Sequence, residues 1–293
     1  MSRLEALRGD LAVVRRMLRG MPRANSHAEA LSAFYAPQAR HYDRFRERLL
    51  QGRETLIGRL PLADGARVIE LGGGTGRNAE FFGARLDRVE SLTIVDVCAP
   101  LLAEARERAR RVPKLRIVEA DATTYRPAAP VDVVYFSYAL TMIPDWRAAI
   151  ANAIAMLKPG GALGVVDFHV GARHGLMTRT FWPAWFRHDG VRVSSDHLPE
   201  LRRRLPDHAF DEARTSVPYL PLGRVPFYVF VGRKSKSPAC GRAGRARDER
   251  VRESATTRSR HRARRFPRPQ ASIASPLRDR APARRSSRSR SAP

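Results

Sequence analysis

The stretch Arg67-Val-Ile-Glu-Leu-Gly-Gly-Gly-Thr-Gly76 decides the fold of this 293-residue chain. Its apolar half, Val68 to Leu71, predicts a short buried strand, and Asn78-Ala-Glu-Phe-Phe82 predicts the start of a helix. A glycine turn between a strand and a helix can bring backbone N–H groups close to a ligand, because glycine accepts positive φ and has no Cβ. The stretch therefore predicts a loop that binds a nucleotide-like cofactor, and an ordinary tight strand–helix turn is the alternative.

The spacing within the turn separates two kinds of cofactor loop. Gly72, Gly74 and Gly76 follow Glu70 in an acid-x-G-x-G-x-G pattern. A dinucleotide-binding turn instead needs G-x-G-x-x-G, which sets a pyrophosphate against a helix N-terminus. The pattern favours another nucleotide-like cofactor, with the acid and the three glycines as its binding residues.

The net charge of +25 is unevenly distributed along the chain. Residues 234–293 contain 19 Lys and Arg against 4 Asp and Glu, so this segment alone carries a net charge of +15. Because Arg, Ser, Ala and Pro dominate it and aromatic residues almost vanish, we expect a disordered basic tail. The tail could bind RNA or acidic lipid through charge alone. It could equally be an extension without a role, in which case deleting residues 240–293 leaves the activity unchanged.

Composition also bounds the compartment and the domains. Cys98 and Cys240 are the only cysteines, so we expect no disulfide framework and a cytoplasmic protein. No apolar run reaches the ~18–20 residues of a membrane span, and no signal peptide is evident. We divide the chain into an N-terminal helical region (residues 1–58), a ligand-binding domain (59–233) and the tail (234–293).

Strands alternate with helical stretches after residue 67. The helices Ala99–Arg111 and Trp146–Leu157 lie between apolar runs, which predicts βαβ crossovers and a mainly parallel sheet. Apolar residues also occur on successive positions, which is typical of strands covered on both faces. The predicted strands are Val68–Leu71, Ser91–Val95, Leu115–Glu119, Val131–Ser137, Leu163–Phe168 and Tyr228–Gly232.

Acidic residues follow two of these strands, where ligands of parallel sheets bind. Asp96 follows the second strand, 20 residues after Gly76, and its carboxylate could accept hydrogen bonds from both ribose hydroxyls. Capping the next helix is the alternative. Asp121 follows the third strand and could accept from an adenine amine, with Ala122 offering a backbone N–H, although a local turn would also explain the aspartate.

Lys158-Pro-Gly-Gly161 completes a series of motifs in a fixed order, after acid-x-G-x-G-x-G, Asp96 and Asp121-Ala122. The series resembles the motifs of class I S-adenosylmethionine-dependent methyltransferases and covers about residues 60–170. The resemblance implies S-adenosyl-L-methionine as the cofactor. It also implies an α/β, Rossmann-like class I methyltransferase fold, with a mixed, mostly parallel seven-stranded sheet and helices on both faces.

Three further site predictions depend on this resemblance. Tyr42, before the first strand, would belong to a helical lid that covers the cofactor. Ser137 and Tyr138, after the fourth strand, would lie where such enzymes line the transferred methyl group. The π-face of Tyr138 could stabilise the sulfonium cation, and packed aromatic residues are the alternative for both tyrosines.

Several flanking stretches narrow the resemblance: His41-Tyr-Asp43, Leu50-Gln-Gly-Arg53, Phe181-Trp-Pro-Ala-Trp-Phe186, Leu198 to Arg204, Val217-Pro-Tyr-Leu-Pro221 and Arg224-Val-Pro-Phe-Tyr228. They resemble the N-methyltransferase of betaine-lipid synthesis. That family transfers three methyl groups to the amino group of diacylglyceryl homoserine, which implies a lipid or small-molecule amine as substrate. The alternatives are a small-molecule O-, N- or C-methyltransferase of the same fold and, in another class, a nucleic-acid-binding protein that uses the basic tail.

Methyl transfer to an amine requires that the amine has lost its proton. Tyr138 and His169 are the candidate catalytic residues, as proton acceptors or orienting groups, although His169 could equally be a surface histidine. Asp145 or Asp167 could stabilise the positive charge that grows on the acceptor. No metal is expected. Four aromatic residues could either surround a methylated amine or form a hydrophobic cap over the sheet: Tyr35, Trp182, Trp185 and Phe186.

Two stretches could contact an anionic membrane surface. The spacing of leucines from Ser2 to Gly20 predicts a basic amphipathic helix, which lies on a membrane or packs on the domain. Leu176 to Phe186 mixes apolar side chains with Arg179 and lies between Arg173 and Arg187. Tryptophan and arginine side chains favour a membrane interface, so we expect peripheral association with the inner membrane face.

Overall fold

The computed structural model describes residues 20–22, 24–37, 43, 47, 49–187, 190–217 and 223–236. These residues form a seven-stranded sheet with the strand order β3-β2-β1-β4-β5-β7-β6. The strands are β1 (Arg67–Leu71), β2 (Ser91–Asp96), β3 (Leu115–Glu119), β4 (Val131–Ser137), β5 (Leu157–Phe168), β6 (His208–Ser216) and β7 (Arg224–Arg233). The prediction of a mixed, mostly parallel seven-stranded sheet is confirmed.

The helices cover the sheet and begin or end near the predicted positions. They are α1 (His27–Tyr35), α2 (Arg53–Arg59), α3 (Ala99–Ala109), α4 (Trp146–Met156), α5 (Leu176–Arg187) and α6 (His197–Arg204). A 3-10 segment, Arg77–Arg88, replaces the α-helix predicted after the glycine turn, and Gly83 interrupts it with a φ of 51°. Both Val133 and Val134 are fully buried, because helices pack against each face of β4.

The direction of the strands places the ligand-binding edge. Strands β1 to β5 pair in parallel, whereas β7 is antiparallel to both β5 and β6. Leu71 at the end of β1 pairs with Val95 of β2 on one side and with Phe136 of β4 on the other. The chain order reverses at β1, so the carboxyl ends of β1, β2 and β4 open into the crevice where ligands of such sheets bind.

Two features of the C-terminal half differ from the sequence predictions. Strand β6 is missed, because exposed charged residues such as Glu212 and Arg214 replace an apolar run on this edge strand. Strand β5 begins at Leu157, so Lys158-Pro-Gly-Gly161 forms the first residues of the strand rather than a turn before it.

The predicted domain boundary after residue 58 falls inside α2, whose Leu56 and Ile57 belong to the main core.

Some predictions lie outside the described residues. The amphipathic helix predicted from Ser2 to Gly20, the lid residue Tyr42 and the tail beyond Lys236 are in this group. Across the described ranges, no helix combines the length and the apolar character that a membrane span requires.

Candidate functional site

A cavity of about 280 Å³ opens at the carboxyl ends of β1, β2 and β4. We call it the first cavity. Parallel strands end at one edge, so the structure brings together residues that are far apart in sequence. The predicted site residues that line it are Glu70, Gly72, Gly74, Asp96, Asp121, Ala122, Ser137 and Tyr138, and α1 adds His27, Leu31 and Tyr35. Gly76 lies behind the turn and caps the 3-10 segment with a φ of 67°.

The glycine turn is held tightly against its neighbours. Gly72 and Gly73 donate backbone hydrogen bonds to Val95 O at 2.8 and 3.2 Å. Gly72 has a φ of 71°, and a Cβ at this position would lie 2.5 Å from the Cβ of Ala139. Because a side chain would fill the space between the turn and the loop after β4, only glycine leaves this cradle open.

Glu70 fixes the turn from behind. Its Oε1 accepts a hydrogen bond from Asn78 Nδ2 at 2.6 Å, and its Oε2 accepts one from the Tyr135 hydroxyl at 2.8 Å. Complete burial raises the pKa of Glu70 to about 7 despite these donors. The carboxylate thus joins β1, β4 and the 3-10 segment, while direct contact with a cofactor stays a prediction.

Asp96 joins the turn to the following helix. Its Oδ2 accepts from Gly74 N, and its Oδ1 accepts from Cys98 N, each at 2.8 Å. Burial raises the pKa of Asp96, and these backbone donors oppose the shift. Asp96 thus bonds to the N–H of Cys98, the N-cap residue of α3, and not to an N–H within the helix, while ribose binding stays a prediction.

The loop after β3 forms the far wall of the cavity. Asp121 Oδ1 accepts from both the backbone N–H and the hydroxyl of Thr123 at 2.7 Å, as the local-turn alternative predicts. Asn152 of α4 was missed by the sequence analysis. Its Nδ2 donates to Ala122 O at 2.8 Å and to Tyr125 O at 3.0 Å, which fixes the loop. The sequence feature that could have indicated Asn152 is a polar residue on the apolar face of a predicted helix.

Tyr138 adopts an unusual backbone conformation at the centre of the site. Its φ is 55°, and within the described residues it is the one non-glycine residue with positive φ. Its hydroxyl donates to Gln51 O at 2.6 Å, and its ring contacts Phe168 with 4.7 Å between centroids. Burial raises the pKa of Tyr138 well above its usual range, so the hydroxyl stays protonated at neutral pH. A role as proton acceptor therefore has no support from this geometry.

Ser137 offers an unused polar atom beside Tyr138. Its Oγ is buried without a hydrogen-bond partner in the described part of the chain, and the residue lines the first cavity. Buried hydroxyls are nearly always satisfied, so this oxygen suits a polar ligand in the cavity.

His169 is not brought to the first cavity. Its ring lies 5.6 Å from that of His174 and 5.7 Å from that of Tyr228, and its Nε2 is 3.7 Å from Glu212 Oε2. Burial lowers its pKa. The prediction that His169 takes a proton from the acceptor is not supported, because the chain turns the ring away from the lining residues after β5.

The two candidate carboxylates have structural partners. Asp167 is fully buried, and its Oδ1 accepts from the Thr141 hydroxyl at 2.8 Å while Oδ2 accepts from Thr141 N at 3.1 Å. Burial raises its pKa to about 6. Asp145 lines the first cavity and caps α4 by accepting from Ala148 N at 3.0 Å. Asp167 therefore positions the loop after β4 rather than facing the cavity.

The segment before β1 contacts the glycine turn. The Thr75 hydroxyl donates to Asp43 Oδ1 at 2.6 Å, and Arg108 of α3 donates to Asp43 Oδ2 at 3.1 Å. Arg77 donates to Glu47 Oε1 at 2.7 Å. These contacts place residues adjacent to Tyr42 against the turn, although the lid itself stays a prediction.

A second cavity of about 580 Å³ lies beside the first and was not predicted. The two cavities share Ile143 and Pro144 of the loop after β4. We call the larger one the second cavity. Its other lining residues are Trp146, Val170, Gly171, Ala172, Arg179, Pro183, Arg192, Val193, Ser194 and Ser195.

The aromatic residues suggested as an amine-binding box do not converge. Tyr35 lines the first cavity, whereas Trp182 and Phe186 are buried in the main core with 5.7 Å between their ring centroids. Trp185 is partly exposed on α5. Trp182 and Phe186 thus behave as the hydrophobic cap over the sheet. Among the described residues, no group of His, Cys, Asp and Glu could hold a metal ion.

Comparison with known proteins identifies the part of the chain that forms this site. Residues 68–161 match a family model described as a methyltransferase domain. The trans-aconitate 2-methyltransferase of Azoarcus sp. strain BH72 is 29% identical over 124 residues, which are 42% of this chain and 47% of that protein. The enzyme of the same name from Variovorax paradoxus strain S110 is 33% identical over 126 residues, again 42% of this chain and 47% of that protein. The chain thus spans about half the length of these curated relatives.

A solved structure supports the fold over a longer range. The YcgJ protein from Bacillus subtilis superposes with a TM-score of 0.55 at 16% identity, and the match covers 64% of this chain and 99% of that one. The predicted Rossmann-like methyltransferase fold is confirmed.

Proposed function

We propose that this chain, whose residues 68–161 match a methyltransferase domain, is a class I methyltransferase that transfers a methyl group from S-adenosylmethionine to a small-molecule acceptor. The observation that carries the proposal is the first cavity, where the glycine turn, Asp96 and the loop after β4 meet at the switch point of the sheet. The cofactor, when bound, supplies an electrophilic methyl carbon.

The residues of the first cavity suit this cofactor. A Cβ at Gly72 would fill the cradle, and the unpartnered Ser137 hydroxyl is available to a polar group. Asp96 would hold the ribose hydroxyls, and the loop of Asp121 and Ala122 would hold the adenine. These residues orient the cofactor, which is the main demand of an in-line methyl transfer.

The identity of the acceptor is the less constrained part of the proposal. Two relatives of the domain are named trans-aconitate 2-methyltransferases, so an organic acid such as trans-aconitate is the first acceptor to assay. Transfer of methyl from labelled S-adenosylmethionine to a panel of acids and amines, followed by mass spectrometry of the products, would identify the class.

The cofactor site is tested by calorimetric titration of the full chain with S-adenosylhomocysteine. We expect Asp96→Ala to weaken binding by about 10- to 100-fold, the range for a lost hydrogen bond to a charged group. Asp64→Ala, which removes an exposed carboxylate that pairs with Arg88, should bind like the parent. Asp96→Asn keeps an acceptor oxygen at this position, so it is the conservative variant that controls for misfolding of Asp96→Ala. Equal affinity in all four proteins, together with no methyl transfer, would refute the proposal.

A second candidate function has its own observation in α5. Leu176 and Met177 are 75% and 83% exposed, and Phe181 and Trp185 are also exposed on the same helix that carries Arg179 into the second cavity. An apolar surface beside arginines favours an anionic membrane, as N-methylation of a homoserine-type betaine lipid requires. Trimethylated lipid in extracts of an expressing host that lacks it, and flotation with anionic vesicles, would favour this acceptor over a soluble one.

A further inference from the structure

We infer that the second cavity holds the methyl acceptor by a carboxylate, with Arg179 and Arg192 as the residues that bind it. This inference rests on the proposed function of the first cavity. It names a binding site and a chemical class for the acceptor, and the carboxylate could belong to a free organic acid or to an amino-acid headgroup of a lipid.

The position of the second cavity suits an acceptor. A methyl acceptor must reach the transferred group, so its site must adjoin the cofactor site. Ile143 and Pro144 of the loop after β4 line both cavities, so the two cavities adjoin at this loop. The reactive group of a ligand held in the second cavity would therefore extend past Ile143 and Pro144 toward the first cavity.

Arg192 lies at the border between the cavities. Its backbone N–H donates to Thr141 O at 2.7 Å, which attaches its segment to the loop after β4. Its charge also reaches His27, which lines the first cavity: after burial, Arg192 is the next cause that lowers the pKa of His27. Arg192 thus lines the second cavity, and its charge affects a side chain of the first.

The lining of the second cavity is positively charged. Arg179 comes from α5 and Arg192 from the segment after it, and Ser194 and Ser195 add hydroxyl donors. Among the described residues, no Asp or Glu belongs to the lining, and neither Arg179 nor Arg192 forms an ion pair with an Asp or Glu. Two exposed arginines line this cavity without an acidic partner among the described residues, and guanidinium groups are the side chains that bind carboxylates by paired hydrogen bonds.

The arginine segment is also fixed in place. Val191 N donates to Phe186 O at 3.1 Å, and Asp196 N donates to the Ser194 hydroxyl at 3.1 Å. Asp196 in turn pairs with Arg147 of α4 at 3.2 Å. These contacts fix the backbone of the segment, so the binding of a ligand by Arg192 would order its side chain without reordering the chain around it.

Calorimetric titration of the full chain tests the inference with a matched pair of soluble probes. Glutarate carries two carboxylates, and glutaramide has nearly the same shape without charge. We expect glutarate to bind and glutaramide not to bind. Arg179→Gln and Arg192→Gln should each weaken glutarate binding at least tenfold. Arg111→Gln, which changes a charge that is 82% exposed just after α3 and does not line either cavity, should leave it unchanged.

Vesicles separate the two sources of the carboxylate. Phosphatidylserine carries a carboxylate in its headgroup and phosphatidylglycerol does not. Preferential, Arg192-dependent flotation with phosphatidylserine in the absence of glutarate binding would assign the site to a lipid headgroup. Glutarate binding that depends on both arginines would assign it to a free acid.

Two results would overturn the inference. One is the absence of any carboxylate binding to a chain that binds S-adenosylhomocysteine, and the other is binding of equal strength in every arginine variant, which the basic tail alone would explain. The proposed function of the first cavity and the carboxylate site of the second cavity can fail separately. To distinguish these failures, the glutarate titration is repeated without S-adenosylhomocysteine. Loss of binding of S-adenosylhomocysteine with retained, arginine-dependent binding of glutarate refutes the proposed function and not the anion site.

Discussion

The two cavities are built in different ways, although one loop separates them. The first cavity consists largely of backbone turns and short residues at the carboxyl ends of strands, such as Gly72, Asp96 and Ser137. The second depends on long side chains from α5 and the segment after it. Turns at strand ends leave local sequence patterns, whereas side chains that converge from a helix and a loop leave none. The cofactor side is therefore encoded locally and the acceptor side is encoded by packing.

Each side is also anchored by its own buried carboxylate. Glu70 on β1 accepts from Asn78 and Tyr135 and holds the glycine turn. Asp167 on β5 accepts from Thr141 and holds the loop that divides the cavities. Burial raises the pKa of both groups, to about 7 for Glu70 and about 6 for Asp167. Because Glu70 and Asp167 have different partners, each can be perturbed separately, which tests whether the two cavities are independent.

The largest effect is expected at the glycine turn. Gly72→Ala places a Cβ at positive φ and 2.5 Å from Ala139, so we expect a loss of about 2–5 kcal/mol in unfolding free energy. Affinity for S-adenosylhomocysteine should fall more than about 100-fold as the cradle fills. Denaturant unfolding and calorimetry measure the two effects.

Gly65→Ala is the matched control for this variant. Gly65 has the same φ of 71° but open space around its Cβ position, so only the backbone penalty of about 1–2 kcal/mol applies. Gly65→Ala should bind S-adenosylhomocysteine with the affinity of the parent. If both variants lost the same stability and both kept binding, the close approach of the turn to Ala139 would not matter for the site.

The features that the sequence predicted lie mostly on the side of the first cavity, and those that it did not predict lie mostly elsewhere. The five parallel strands and their ends were predictable, because buried strands are apolar and Asp96 and Ser137 are the last residues of β2 and β4. Strand β6 was not, since its exposed charged residues hide the period of a strand. His169 also follows a strand, but its strand has an antiparallel neighbour, and its ring faces Glu212 and Tyr228 instead. A position at a strand end therefore predicted which residues line the first cavity only where the neighbouring strands are all parallel.

The second prediction concerns the pH dependence of the cofactor-side anchor. Glu70 has a pKa of about 7 in the fold against 4.5 in the unfolded chain, so the folded state binds more protons between these values. Its contribution to stability is fully present below pH 4.5 and is lost as the pH rises through 7. The loss amounts to about 3 kcal/mol.

Glu70→Gln removes this dependence while keeping the shape of the side chain. The unfolding free energy of the parent relative to Glu70→Gln should fall by about 3 kcal/mol from pH 4.5 to pH 8. Glu54→Gln makes the same charge change at an exposed position of α2 and serves as the control. A parent and a Glu70→Gln variant with parallel pH profiles would mean that Glu70 does not titrate in this range.

The smallest effect is expected from the acceptor-side anchor. Thr141→Val removes the hydroxyl donor to Asp167 but leaves the backbone donors of Thr141 and Phe168. We expect a loss of about 1.5–2 kcal/mol at pH 8, where Asp167 is ionised, and a smaller loss at pH 5. Because the hydroxyl lowers the pKa of Asp167, its removal should also raise that pKa further above 6.

Thr141→Ser keeps the hydroxyl and should restore the stability and the pKa of Asp167, which carbon-detected NMR of the carboxyl can follow. If the anchors are independent, Thr141→Val raises the KM of the acceptor but leaves the affinity for S-adenosylhomocysteine within about twofold, since the Gly72 cradle contacts Ala139 and not Thr141. An equal loss of both affinities would instead mean that the loop after β4 couples the two cavities. The first cavity would then still be encoded by local sequence and the second by packing, but the two would not be independent in binding energy.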